Sequence, residues 1–117
     1  MTQLICPNDN PSLAPANATT AAYAASLIAK AGNGVLYRVS GYNSGAAQFL
    51  QVHDSATLPA DTAVPKVVIA IAATSNFSID LGVHGRGFIN GITICNSSTG
   101  PTKTIGSANC WIDAQVK

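Results

Sequence analysis

Residues 35–54 read VLYRVSGYNSGAAQFLQVHD. Two apolar-rich runs flank a small-residue stretch, and their period decides the fold. In the first run Val35, Tyr37 and Val39 alternate with Leu36, Arg38 and Ser40. In the second, Leu50 and Val52 alternate with Phe49, Gln51 and His53. Period two with β-branched and aromatic residues marks strands, because successive side chains of a strand point to opposite faces. The stretch Asn43-Ser44-Gly45-Ala46 between the runs reads as a hairpin-like connection.

The same reading extends toward the C-terminus. SATLPADTAVP, residues 55–65, is a polar, proline-marked loop of a size that crosses between two sheets. KVVIAIAA, residues 66–73, is β-branched and nearly continuous, the pattern expected of a strand covered on both sides. In NFSIDLG, Phe77, Ile79 and Leu81 share one face and Ser78 and Asp80 the other. In GFINGITICN, Phe88, Ile92 and Ile94 alternate with Ile89, Gly91 and Thr93, and NCWIDAQVK at 109–117 closes the set. Toward the N-terminus, AYAASLIAKA at 22–31 has helix-favouring alanines. It lacks a cap or charge pattern and ends at Gly32-Asn33-Gly34, so it too is read as a strand. Residues 1–20 hold CPNDNPSLAPANATT, with three prolines and no periodicity, the composition of an extended arm. The expectation is all-β: an antiparallel β-sandwich, jelly-roll or Ig-like, of about seven strands over residues 21–117 behind an arm of residues 1–20.

The 117 residues suffice for one domain. Charged residues make up 9% of the chain and glutamate is absent, against about 25% charged in an average globular domain. Mean hydropathy is +0.25. A free monomer ordinarily needs a charged surface, so this composition suits a protein packed against neighbours, and it also suits a small secreted β-domain. The net charge of +1 and the scattering of the six basic residues argue against a nucleic-acid-binding face. The longest apolar run, VVIAIAA, is far short of the ~20 residues of a membrane helix.

Motifs for chemistry are sparse. NSSTGPTKTIGS, residues 96–107, resembles a phosphate-binding loop at first sight, with Lys103-Thr104 as its Lys-Thr pair. A P-loop places one glycine directly before the lysine and another five residues earlier, where backbone N–H groups converge on phosphate. Thr102 and Ser97 occupy those places, and the segment that follows is a strand, so this is an exposed connector between the last two strands. Of Cys6, Cys95 and Cys110, the last two read as buried, reduced thiols, and the spacing lacks the C-x₂-C signature of zinc. No catalytic residue, cofactor or metal is expected. His84 and Arg86, in the glycine-rich LGVHGRGF, are candidates for a partner contact, and Tyr37, Tyr42 and Trp111 for a sugar-stacking platform.

Three stretches carry a family resemblance: GVLYRVSGYNSGAAQFLQVHDSATLPADTAVPKVVIAIAA, FSIDLGVHGRGFINGITICNSS and NCWIDAQVK. Over residues 34–117 the chain resembles small bacteriophage virion structural proteins of the decoration, head-fibre, neck or tail accessory type. The resemblance implies a non-enzymatic virion component, foremost a capsid decoration or cement protein. Its partners would be the major capsid protein or other virion proteins, in a homo-oligomer that by analogy is a trimer, with neither nucleic acid nor membrane. The alternative is a fibre or receptor-binding module that recognises a cell-surface glycan through Tyr42, His84, Arg86 or Trp111. Leu4, Ile5 and Leu13 are the large aliphatic anchors of the arm and the expected contacts to neighbouring subunits.

Overall fold

A computed structural model describes residues 14–117. Leu4, Ile5 and Leu13 lie outside the described residues. Over the described residues the fold is all-β, with nine strands in two antiparallel sheets. In chain order these are β1 (Ala16–Thr19), β2 (Ser26–Lys30), β3 (Gly34–Asn43), β4 (Gln48–His53), β5 (Val67–Ile71), β6 (Ser75–Asp80), β7 (Arg86–Phe88), β8 (Ile92–Ser97) and β9 (Cys110–Val116). One sheet has the order β1-β9-β3-β6, with β7 also on β3, and the other β2-β8-β4-β5. Taking β6 and β7 as one interrupted strand, this order winds a long antiparallel ribbon around two sheets, which is the jelly-roll topology.

The alternation read from the sequence fills the core. Leu50 and Val52 of β4, Phe77 of β6, Phe88 of β7, Ile92 and Ile94 of β8, and Ile112 and Ala114 of β9 are all buried between the sheets. Each fully buried large aliphatic side chain contributes about 1.5–3 kcal/mol by leaving water. The sandwich also begins earlier than expected. Ala16–Thr19, assigned to the arm, is strand β1 and pairs with Asp113–Val116 of β9. Its small residues carry no apolar signal, and backbone hydrogen bonds to β9 hold it. The Thr19 hydroxyl adds a bond to the Ile112 carbonyl at 3.1 Å.

Four further expectations are corrected. The first concerns β3, where Leu36 faces Val116 while Arg38 faces Gln115. Tyr37 is the extra residue of a β-bulge, so Leu36 and Val39, three apart, both point into the core. Second, residues 44–47 do not form a hairpin, because β3 and β4 lie in different sheets and the segment crosses between them. Third, the long 54–66 loop stays within one sheet, since β4 and β5 pair directly. Fourth, β5 is an edge strand whose Val68 and Ala70 are exposed, not a strand covered on both sides.

The strand covered on both faces is β8, buried at every position. Its inner face meets the core. Its outer face lies under the two long loops, which join through Thr62 N–H to Lys103 C=O and Lys103 N–H to Ala63 C=O, both 2.8 Å. They cover Gln51, His53, Thr93 and Cys95. The Gln51 amide nitrogen lies 2.9–3.1 Å from the carbonyls of Thr99, Gly100 and Thr102, and fixes the second loop to the sheet.

At the Asn43 end, a knot of amides ties the crossings together. Asn43 Nδ2 donates to the carbonyls of Ala46 and Ala72 at 2.9 Å each. Gln48 Nε2 donates to Asn43 Oδ1 and Asn109 Oδ1, also at 2.9 Å. No buried side-chain nitrogen or oxygen of the described residues lacks a partner. That matters because an unpaired buried polar group costs about 1–3 kcal/mol.

Candidate functional site

The segment that resembled a phosphate loop is structural. Lys103, expected on an exposed connector, is 3% exposed, and its ammonium meets Asp61 Oδ1 at 2.7 Å. Asp61 also accepts from the Ile105 N–H at 3.1 Å. These two bonds, the lysine's first, hold the Asp61 carboxyl below the usual carboxylate range. The lysine thus pins one loop to the other and offers nothing to a phosphate. Beneath it, His53 Nε2 sits 3.0 Å from Gln51 Oε1, and burial followed by the Lys103 charge lowers the His53 pKa. Cys95 and Cys110 are free and buried. Burial pushes the Cys95 thiol up to about 11 and raises that of Cys110 as well. Neither is a poised nucleophile, since reactivity belongs to the thiolate. Among the described residues no three His, Cys, Asp or Glu side chains cluster as a metal site.

The exposed face of the β1-β9-β3-β6 sheet is a different surface. Tyr42 of β3 and Trp111 of β9 stand directly opposite each other across the strand pair, hence on one face. Trp111 is 53% exposed. On one side it walls an apolar groove shared with Tyr23, Ala21 and Ala22. On the other it walls a groove of about 480 Å³ in which Asn17, Thr19, Ser40, Tyr42, Asn76 and Asp113 set polar groups around a largely apolar floor that includes Phe77. Register explains the convergence. Tyr42 faces Asn76 on β6 and Trp111 on β9, while Ser40 faces Asp113. Four strands therefore bring their outward side chains to one place.

His84 and Arg86 do not join that site. The turn before β7 uses Gly82 and Gly85, both at positive φ, with Gly85 N–H bonded to the Gly82 carbonyl at 3.1 Å. Arg86 pairs with Leu36 near the start of β3, whereas Trp111 pairs with Tyr42 near its end. Six residues of strand separate the two, roughly 20 Å at strand rise. The sequence missed Asn17, Ser40, Asn76 and Asp113, because only strand order and register assemble them. Tyr37 is the bulged residue of β3, apart from the Tyr42–Trp111 pair.

The end near Gly34 has its own character. Val83 is 85% exposed, and Val64 and Ile89 are each 77% exposed, all three on loops toward this end. Lys66 lies over the Phe88 ring at 4.8 Å and donates to the Gly87 carbonyl, drawing the Val64 loop toward Ile89. Ala16, where β1 begins, pairs with Val116 at the same end. Comparison with known proteins finds no matching family model, no matching curated protein and no matching solved structure.

Proposed function

We propose that the protein is a non-enzymatic structural component of a bacteriophage virion. In this reading it is a decoration or cement module that packs as a homo-oligomer, by analogy a trimer, on the major capsid protein. One observation carries it: Val64, Val83 and Ile89 stand exposed around the end where residues 1–15 enter β1. Exposed apolar tips on a chain with 9% charged residues favour burial against a neighbour. The segment before β1 holds the large aliphatic residues Leu4, Ile5 and Leu13, which in this reading supply further contacts. Many identical weak contacts on a lattice add up through multivalency. The resemblance of residues 34–117 to small phage structural proteins supports the same reading. The jelly roll is compatible with it, as a winding used by capsid and lectin domains alike.

Co-sedimentation with particles lacking this chain tests the proposal. Full-length protein should pellet with them, and a double Val83→Asp, Ile89→Asp variant should stay in the supernatant while melting like wild type. Equal pelleting of both would remove the attachment face from the account.

A further inference from the structure

Trp111 stands five residues from Val116 along β9, roughly 17 Å of strand from the proposed attachment end, and the groove runs back along the sheet face to Asn17, next to Ala16. Its chemistry is of another kind. On the face of the β1-β9-β3-β6 sheet the backbone N–H and C=O groups are consumed by strand pairing. A ligand there meets side chains only. An extended peptide, which binds by adding a strand at a free edge, is poorly served by such a face. What the face offers is a half-exposed indole beside a tyrosine, ringed by two amides, two hydroxyls and one carboxylate, with the Thr19 hydroxyl already donating to the Ile112 carbonyl. The side chains of Asn17, Ser40, Tyr42, Asn76 and Asp113 make no hydrogen bonds within the described residues. Their donors and acceptors are therefore free for a ligand.

A pyranose ring has an apolar C–H face and a rim of hydroxyls. The C–H face stacks on an indole, and each hydroxyl can both donate to and accept from amides and carboxylates. Asp113 is the one charged group lining the groove, so an anionic sugar is disfavoured by like-charge repulsion. From this juxtaposition we infer that the groove binds a neutral saccharide, with Trp111 as the stacking platform and Asn76, Asp113 and Asn17 as hydroxyl partners. Such a site on the sheet face would let a particle-bound domain touch a glycan while its loop end holds the lattice. The inference stands apart from the structural role, because free oligosaccharide binding needs no particle.

Trp111 is the only tryptophan of the chain, so its fluorescence reports on binding at this side chain, and Asn76→Ala separates this groove from the apolar one beside Tyr23. The isolated full-length protein is titrated with neutral glucose-, galactose-, mannose- and N-acetylglucosamine-based oligosaccharides, and with a sialylated set. Saturable quenching or a blue shift is expected with at least one neutral series. On an array of the same glycans, Trp111→Ala should lose at least tenfold in affinity and Asn76→Ala should weaken binding, while His84→Ala should bind like wild type. Both groove substitutions lie at outward positions, and unchanged melting curves certify the fold. The inference is overturned if no neutral series binds, if only sialylated glycans bind, or if Trp111→Ala binds like wild type.

Discussion

Replacing Lys103 separates a packed structural lysine from a loop ornament. Its side chain is 3% exposed under the paired loops, while its partner Asp61 is 52% exposed. Lys103→Ala removes three buried methylenes, which at ~0.8 kcal/mol each amounts to about 2.4 kcal/mol. The ion pair adds little to that sum, because the exposed end of the pair is screened by water. Burial of the ammonium is itself costly, and its removal offsets whatever the bond supplied. The expected loss for Lys103→Ala is therefore about 2 kcal/mol. Lys103→Met keeps the stem and omits the charge, so it should lie within about 1 kcal/mol of wild type, as volume-conserving swaps do. In urea denaturation, with a slope of about 1–3 kcal/mol/M, the alanine variant should shift the midpoint down by roughly 1 M. An alanine midpoint indistinguishable from wild type would mean the stem is not packed. A methionine variant as weak as alanine would show that the ammonium, not the stem, holds the loops.

Other consequences can be measured on the same protein. His53 has a lowered pKa, so the folded state binds fewer protons than the unfolded state below pH 6.5. Its contribution to stability is whole above that pH and falls as pH drops toward the folded value; melts from pH 7.5 down to 5 should show the decline, and His53→Asn should flatten it. Cys95 and Cys110 should resist thiol reagent in the native state at pH 8 and react on unfolding, as mass spectrometry of the labelled peptides would show. Rapid native labelling of either would contradict their burial. Deleting residues 1–13 should leave the melt of the domain unchanged, whereas deleting 1–20 should lower it, because the longer cut strips β1 from β9. Equal melting of the two truncations would argue that β1 contributes nothing.

Much of the core could be read from period two alone. Phe77 with Ile79, Leu50 with Val52, and Ile92 with Ile94 fall on the inward faces that alternation assigns. Alternation says which side chains share a face, but not which strands are neighbours. That is why the 44–47 and 54–66 connections were each given the wrong kind of crossing, although the strands they join were found. A single bulged residue, Tyr37, then reverses the face of everything beyond it, and nothing in the local sequence marks it. The apolar density of VVIAI does not distinguish an edge strand from a central one, since exposed Val68 and Ala70 cost little in water. The burial of Lys103 is not legible in the sequence, because a lysine is buried only where another loop supplies its carboxylate, here Asp61, 42 residues away. The groove shows the same limit. Trp111 stands out in the sequence as an aromatic, while Asn76 and Asp113 join it only through strand order.

The central claim is that this jelly roll is built into a virion through the end where its N-terminal segment enters the sheet. A cryo-EM reconstruction of the virion that this proposal requires tests it most directly. The account predicts a nine-stranded domain at repeated positions on the capsid, with the Val64, Val83 and Ile89 loops turned toward the major capsid protein and the Trp111 face turned outward. Purified particles without this chain, or with the domain bound through the Trp111 face, would contradict it.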